Sequence, residues 1–202
     1  MAAKKTAAKK TAAKETTATT ATKKTPTATA PQKKAAPKAA PTKPATTSTD
    51  PAVGVAAPAF SVAGNDGKIH SLASCKGKPV VLYFYPRDDT PGCTVEACDF
   101  RDSMARATAK GAVVLGVSRD TIKSHDKFTM KFSLNFPLLA DEDLAVHRAY
   151  NAWGTKNMYG KEVEGTIRST FLIDAKGVLR QAWRKVKVAG HVEAVLAALE
   201  AL

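Results

Sequence analysis

The first fifty residues constrain this chain most, because they contain no Val, Ile, Leu, aromatic residue or Cys. They are Ala, Lys, Thr and Pro with a few other small or polar residues. Such a segment cannot bury enough apolar surface to offset the entropy that is lost on ordering. We therefore predict a disordered tail over residues 1–52. Residues 53–202 remain for one folded domain, a length that allows a full hydrophobic core.

The tail also holds most of the positive charge. It has eleven Lys against Glu15 and Asp50, so it accounts for +9 of the chain's net charge of +13. Residues 2–16 repeat Ala-Ala-Lys-Lys-Thr with one variation, and a period of five spreads the lysines around every face of a helix. The tail therefore does not suit an amphipathic membrane anchor. We expect neither a signal peptide nor a membrane span, since no stretch is long and apolar enough.

The rest of the chain alternates between strand and helix patterns. Continuous apolar and β-branched runs predict buried strands, and apolar residues at helical spacing predict helices that dock on them. The strands are predicted at 80–85, 112–117 and, as a strand–turn–strand unit, 169–183, with helices near 122–132 and over 191–202. Asn65-Asp66-Gly67 predicts a hairpin turn. We expect an α/β fold with a central mixed sheet flanked by helices, and an exposed loop over the Gly-, Asn- and Lys-rich residues 151–167.

A cysteine lies where the first long buried strand passes into a helix. Thr90 suits the N-cap and Pro91 the first helical position, so Cys93 falls in the first turn. That turn has unpaired backbone N–H groups and the positive end of the helix dipole, which favour a thiol in its thiolate form. Asp88 and Asp89 would oppose this if they faced the sulfur, so a nearby cation is needed. The placement indicates redox or nucleophilic sulfur chemistry.

A second cysteine, Cys98, follows five residues later. In an intact helix the two Cα atoms would be about 8–9 Å apart, beyond the roughly 7 Å that a disulfide tolerates. If the two cysteines pair, the helix must unwind between them, which indicates a transient bond rather than a structural one. The alternative is that both are ordinary, unreactive helix cysteines. The spacing and the lack of a nearby His argue against a metal site, and the Cys-x-x-Cys motif of dithiol exchange is absent.

The residues around Cys93 resemble the active-site segment of a known family. YFYPRDDTPGCT at 83–94, followed by EACDFRD at 96–102, is similar to that segment in the Q-type peroxiredoxins, also called bacterioferritin comigratory proteins. The resemblance covers residues from about 55 to the end of the chain, through motifs at 111–118, 123–125, 136–139 and 167–174. It implies a thioredoxin-like fold and the reduction of hydrogen peroxide and organic hydroperoxides.

The resemblance also implies a role for each matching residue. Cys93 would be the peroxidatic cysteine and Cys98 the resolving one. Pro86 would shield the sulfur from solvent, and Thr90 would hydrogen-bond the peroxide. Arg168 would supply the missing cation. A dithiol reductant such as thioredoxin would reduce the resulting disulfide, and pairing within one chain makes a monomer sufficient. No cofactor or metal is implied.

Cys75 has no role in this resemblance. We predict a half-buried bystander, with an alternative resolving thiol as the other interpretation. The four histidines match no metal-ligand spacing and are predicted to be surface or hydrogen-bonded residues: His70, His125, His147 and His191. Three cysteines, an odd number, favour a cytosolic protein over a secreted disulfide scaffold.

The lysine-rich tail departs from the usual pattern of that family and resembles the tails of linker histones and histone-like bacterial proteins. Its lysines could neutralise phosphates without reading base sequence. One hypothesis is that the tail holds the peroxidase beside DNA at the nucleoid, and a main role in nucleic-acid binding stays open. The alternatives are a solubilising extension, or contact with an anionic membrane surface or another polyanion.

Overall fold

The computed structural model describes residues 50–158 and 161–202, so the predicted tail lies outside the described residues except for 50–52. The strands are β1 (Ser61–Ala63), β2 (Ile69–Ser71), β3 (Val80–Phe84), β4 (Val113–Ser118), β5 (Leu138–Ala140), β6 (Trp153–Met158), β7 (Lys161–Thr166), β8 (Ser169–Ile173) and β9 (Leu179–Arg184). The helices are α1 (Pro91–Asp102), α2 (Met104–Ala109), α3 (Ile122–Phe132), α4 (Ala145–Ala149) and α5 (His191–Glu200), with a 3₁₀ turn at Ala73–Cys75.

Five strands form the central sheet, in the order β5-β4-β3-β8-β9. The pairs β3–β4 and β4–β5 are parallel, whereas β3–β8 and β8–β9 are antiparallel. The parallel strands are joined through helices, because a parallel connection has to cross back over the sheet. The sheet is therefore mixed, as predicted from the order of the sequence patterns.

Strand β3 shows why the sheet is covered on both faces. All five of its residues are buried, and they alternate between two separate apolar clusters. Val81 and Tyr83 pack with α1, α2, α3 and α5, while Leu82 and Phe84 pack on the other face with Tyr150, at the end of α4. Each large apolar side chain that is fully removed from water in this way contributes about 1.5–3 kcal/mol.

The structure confirms most of the predicted elements. Strands β3, β4, β8 and β9, helix α3, and the β1–β2 hairpin around Asn65-Asp66-Gly67 lie where the patterns indicate. Helix α5 begins at His191, as predicted, and its apolar face docks on the central sheet through Val195, Leu196 and Leu199. The observed bounds of these elements agree with the predicted ones to within two residues.

The prediction of an exposed loop over 151–167 is wrong. Strands β6 and β7 form an antiparallel ribbon there, in a register that pairs Trp153 with Thr166 and Met158 with Lys161. Backbone pairing holds such a ribbon together, and it needs no continuous apolar run. The ribbon is anchored in the protein at its base, where Thr166 is buried. A polar, Gly-containing sequence gives no periodic signal for a ribbon of this kind.

Residues just before β1 form hydrogen bonds with later parts of the domain. The Asp50 carboxylate accepts a hydrogen bond from Asn151 at 2.6 Å, and the Gly54 amide donates to the Leu179 carbonyl at 2.7 Å. The predicted domain start at 53 lies within this stretch and stays a prediction. Among the described residues, no helix combines the length and apolar character that crossing a bilayer requires.

Candidate active site

Cys93 lies in the first turn of α1, at the position that the sequence predicts. Thr90 is the N-cap residue, Pro91 opens the helix, and the Thr94 amide donates the first helical hydrogen bond to the Thr90 carbonyl at 2.8 Å. The Thr90 side chain does not cap the helix, because its hydroxyl donates instead to the Arg87 carbonyl at 3.1 Å. The N–H groups of the first turn therefore lack a side-chain cap, and the Cys93 thiol is buried beside them.

Arg168 is the cation next to the Cys93 sulfur. It precedes β8, whose first residue, Ser169, pairs with Phe84 at the end of β3. The antiparallel pairing therefore places Arg168 beside the loop that leads into α1. Its guanidinium donates one hydrogen bond to Cys93 Sγ at 3.1 Å and another to the Glu96 carboxylate. Burial lowers the pKa of Arg168, but Glu96 and Cys93 outweigh this and raise it, so the cation is secure.

Glu96 is a buried carboxyl group next to the sulfur. It follows Cys93 by three residues, so both lie on one face of α1. Its side chain is fully buried, and Oε1 has no hydrogen-bond partner among the described residues. Burial raises the pKa of Glu96 to about 7, although Arg168 opposes the shift. Near neutral pH this carboxyl is therefore partly protonated, and its charged form competes with a thiolate for the same guanidinium.

The side chains of the two aspartates before Thr90 pair with groups other than the Cys93 sulfur. Asp89 forms an exposed ion pair with Lys131 of α3 at 2.6 Å. Asp88 is buried and accepts hydrogen bonds from three side chains, namely Tyr85 Oη (2.8 Å), Ser124 Oγ (2.7 Å) and His125 Nδ1 (2.9 Å). Each of these two carboxylates is thus paired with groups other than the Cys93 sulfur.

Cys98 lies in the body of the same helix. Helix α1 runs without a break from Pro91 to Asp102, and both cysteines are free thiols. Cys98 is half-buried, whereas Cys93 is buried. Two Cα atoms five residues apart in a helix are separated by about 8–9 Å, so a disulfide between them requires α1 to unwind.

Cys75 lies on the other face of the central sheet. It belongs to the apolar cluster of Leu82 and Phe84, whereas Cys93 belongs to the cluster of Val81 and Tyr83. Burial raises the pKa of the Cys75 thiol, with Ser74 and Lys78 opposing the shift. Cys75 is thus more deeply buried than predicted, and the sheet separates it from Cys93. This favours the interpretation as a bystander.

Pro86 lines an open groove beside the active-site loop. The groove has a volume of about 650 Å³, and its walls come from three separate segments of the chain. Two exposed arginines, Arg87 and Arg119, lie along it, and the Arg119 guanidinium is 5.8 Å from the centre of the Trp153 ring. Pro86 itself is half-buried. The sequence could not indicate this groove, because the β6–β7 ribbon that forms one wall was predicted as a loop.

The structure thus brings Cys93 and Arg168 into direct contact, with Thr90 at the head of the same helix and Pro86 in the preceding loop. Cys98 lies five residues beyond Cys93 along the same helix. Sequence reasoning missed the role of Glu96, although it is part of the motif, and the group around Asp88. The His125 ring in that group is one of three histidines that are fully or largely buried with a polar partner. The pairing of distant residues carries no local signal.

The chain is similar in sequence to known peroxiredoxins. Residues 53–182 match the model of the AhpC/TSA family. The chain is 49% identical over 147 residues to a putative peroxiredoxin Bcp of Coxiella burnetii, covering 73% of this chain and 97% of the relative. It is 47% identical over 148 residues to peroxiredoxin Bcp of Bacillus subtilis, covering 73% and 94%.

A solved structure shows the same fold. The bacterioferritin comigratory protein of Xanthomonas campestris, which was studied for its alkyl peroxide reduction activity, superposes with a TM-score of 0.67 at 49% identity. The match covers 70% of this chain and 90% of that protein. The fold is therefore thioredoxin-like, and the chain is a peroxidase that belongs to the AhpC/TSA family, within its Bcp or Q-type peroxiredoxins.

Proposed function

We propose that the protein reduces hydrogen peroxide and organic hydroperoxides through Cys93, that Cys98 resolves the oxidised sulfur as an intramolecular disulfide, and that thioredoxin or a similar dithiol recycles it. The contact of 3.1 Å between the Arg168 guanidinium and Cys93 Sγ carries this proposal. A guanidinium at this distance is placed to stabilise the negative charge that passes from the sulfur to the peroxide oxygen during the reaction. The alkyl peroxide reduction studied in the Xanthomonas campestris relative supports organic hydroperoxides as substrates.

In the first step the Cys93 thiolate attacks the terminal oxygen of the hydroperoxide. The S–O bond forms, the O–O bond breaks, and the leaving oxygen takes a proton to become water or an alcohol, with sulfenic acid left on Cys93. Arg168 stabilises the negative charge that moves from sulfur to the leaving oxygen. The Thr90 hydroxyl exchanges its bond to the Arg87 carbonyl for one to the peroxide, and Pro86 limits access of water.

In the second step Cys98 attacks the Cys93 sulfenic acid. A thiol and a sulfenic acid give a disulfide and one molecule of water, so no other oxidant is needed. Helix α1 has to unwind between the two cysteines, and Glu96, which lies between them, leaves its contact with Arg168. The bond is thus compatible only with an opened helix.

In the third step an external dithiol reduces the disulfide. Thiolate attack on one sulfur forms a mixed disulfide, and the second thiol of the reductant then releases the reduced protein. Two electrons pass from the reductant to the Cys93–Cys98 pair, and α1 can re-form. Since both cysteines belong to one chain, a monomer suffices for the cycle.

Steady-state peroxide consumption with a thioredoxin system tests this proposal, together with mass spectrometry of the oxidised protein. The parent protein is expected to turn over and to form a Cys93–Cys98 bridge. Cys98→Ser should allow one oxidation and then stall or over-oxidise. A Cys93–Cys75 bridge, or normal turnover of Cys93→Ser, would contradict the proposal.

A second candidate function concerns the tail, and the charge of +9 in residues 1–50 favours it. The tail would hold the peroxidase beside nucleic acid through contacts with phosphates that do not depend on base sequence. Such binding weakens steeply as salt rises, because it releases counterions. A gel-retardation series over salt concentration, with the full chain and a chain that lacks residues 1–50, tests it. Equal DNA affinity of the two proteins would rule the tether out.

A further inference from the structure

Asp88 lies at the centre of a polar cluster beneath the active-site loop. The cluster is defined by Tyr85, Asp88, Asp120, Ser124 and His125. The Asp88 carboxylate accepts hydrogen bonds from Tyr85 Oη, Ser124 Oγ and His125 Nδ1 at 2.7–2.9 Å. A carboxylate can only accept, so the Nδ1 atom of His125 carries the proton in this pair. Burial raises the pKa of Asp88, but its hydrogen bonds outweigh this and hold the pKa below the ordinary value.

The cluster joins the loop to two elements of the domain. Ser124 and His125 lie in the first turns of α3. The Asp88 amide donates to the Asp120 carboxylate at 2.8 Å, and Asp120 in turn accepts from the Ser118 hydroxyl, at the end of β4, at 2.8 Å. Both the side chain and the backbone of Asp88 are therefore fixed to parts of the protein that do not belong to α1.

The backbone conformation of the next residue, Asp89, explains why the loop needs contacts that hold it in place. Asp89 has a φ of +54°, in the left-handed region that non-glycine residues rarely adopt. A turn of this kind persists when its surroundings hold it. Here Asp88 is held on one side of the turn, and the Lys131 ammonium binds the Asp89 carboxylate on the other. Helix α3 thus contacts both residues, and the turn passes directly into Thr90.

Three members of this cluster are buried, namely Tyr85, Asp88 and His125, and this makes it a costly way to stabilise a domain. Buried polar groups are costly unless all are paired, and His125 Nε2 is buried without a hydrogen-bond partner among the described residues. Apolar side chains would pack this region without that cost. The hydrogen bonds of the cluster are directional, so they fix the active-site loop in one conformation.

We propose that Asp88 is a positioning residue for peroxide reduction. The cluster holds the loop 86–90 so that the Thr90 hydroxyl meets the peroxide beside Cys93. It also keeps the start of α1 in place while the rest of that helix unwinds toward Cys98. This inference rests on the proposed function, since it assigns the loop a task in that reaction. Asp88 acts through Thr90 and touches no reacting atom.

Variants that remove one donor each are the sharpest test, because replacing Asp88 itself could disrupt the fold. Tyr85→Phe and Ser124→Ala each delete one hydrogen bond to its carboxylate. Thr129→Val is the matched control, since it deletes a hydrogen bond of α3, from Asn65 Nδ2 at 3.0 Å, that does not reach the loop. Ser124→Thr restores a hydroxyl and serves as the rescue. Each protein is studied well below its unfolding temperature.

The first readout is the second-order rate constant for oxidation of Cys93 by hydrogen peroxide, followed by stopped-flow fluorescence. The second is the rate at which iodoacetamide alkylates Cys93 at fixed pH. We expect Tyr85→Phe and Ser124→Ala each to slow oxidation about tenfold, the effect of one lost hydrogen bond to a charged group. Alkylation should stay within about twofold, because Arg168 rather than Asp88 holds the sulfur. A purely structural role would not separate these two rates.

The outcomes distinguish failure of this inference from failure of the proposed function. If the parent chain reacts rapidly with peroxide but both variants react as fast as Thr129→Val, the positioning role is wrong and the proposed function stands. If Ser124→Thr is as slow as Ser124→Ala, the hydroxyl is not the cause and the inference also fails. If the parent chain reacts no faster than free cysteine, the proposed function fails and the positioning role fails with it.

Discussion

Cys93 and Cys75 are two buried thiols on opposite faces of one sheet, and they differ in what surrounds them. Their exposed fractions are 2% and 6%, so burial alone does not separate them. Cys93 has the Arg168 guanidinium at 3.1 Å and the unpaired N–H groups of a helix start. Cys75 ends a 3₁₀ turn among apolar side chains, and burial raises its pKa. We therefore propose that charge and helix position, rather than exposure, decide which thiol reacts with peroxide.

Replacing each cysteine in turn gives the largest expected difference. Cys93→Ser should lower peroxidase turnover by at least about a thousandfold, because it removes the nucleophile. Cys75→Ala should keep turnover within about twofold of the parent value. The check is peroxide consumption with a thioredoxin system for the parent and both variants. Loss of turnover in Cys75→Ala with its fold intact would break the comparison.

The next effect comes from the cation. Arg168→Met keeps much of the length of the side chain but removes the charge, and the rate constant for oxidation of Cys93 by peroxide should fall about a hundredfold or more. Arg180→Met is a matched control, since Arg180 pairs with Asp174 at the surface at 2.8 Å. The control should react like the parent. Equal rates for the parent and Arg168→Met would show that the helix start alone activates the thiol.

The surroundings of Cys93 also include the buried carboxyl group of Glu96, which makes the stability of the folded protein depend on pH. The pKa of Glu96 in the folded protein is about 7, above the ordinary 4.5, so the folded state binds a proton that the unfolded state has lost. The stabilisation is complete below about pH 4.5 and is lost as the pH rises through about 7. The expected loss is about 3 kcal/mol at most.

Urea unfolding of the parent and of Glu96→Gln at pH 5 and pH 7.5 measures this loss. The parent should lose more stability between the two values than Glu96→Gln, whose side chain does not titrate. Asp102→Asn, at an exposed ion pair of the same helix, is the control. The same pH dependence in Glu96→Gln and the parent would contradict the assignment of this proton to Glu96.

The smallest effect concerns the stability contribution of Cys75. A free buried cysteine behaves as a small apolar side chain, so Cys75→Ala should reduce the free energy of unfolding by about 1 kcal/mol. Chemical denaturation of the reduced proteins is the measurement. A much larger loss would mean that the sulfur makes a specific contact, and no loss would mean that the site collapses around the smaller side chain.

The sequence predicts the part of the site whose residues lie close together along the chain. The run 80–85 followed by Thr90-Pro91 indicates a strand that leads into a helix, and this alone places Cys93 in the first turn. Arg168 lies 75 residues away in sequence. It could be assigned only through the family resemblance, because no spacing rule links a cation before one strand to a thiol after another.

The remaining features depend on tertiary structure. The pKa of Glu96 follows from burial between α1 and the sheet, and a glutamate in a polar motif gives no sign of that burial. The pairing of Asp88 with His125 joins a loop to α3 across the end of β4, a long-range contact without a periodic pattern. The β6–β7 ribbon is held by backbone hydrogen bonds, which polar residues make as well as apolar ones.

The most direct test is a redox map of all three cysteines in the full reduced chain. The protein is exposed to one equivalent of hydrogen peroxide and quenched by alkylation at a series of times, and each cysteine peptide is then quantified by mass spectrometry. Cys93 should be oxidised first and appear joined to Cys98, while Cys75 stays a free thiol. Oxidation of Cys75 as fast as Cys93, or the absence of any bridge to Cys98, would contradict this account.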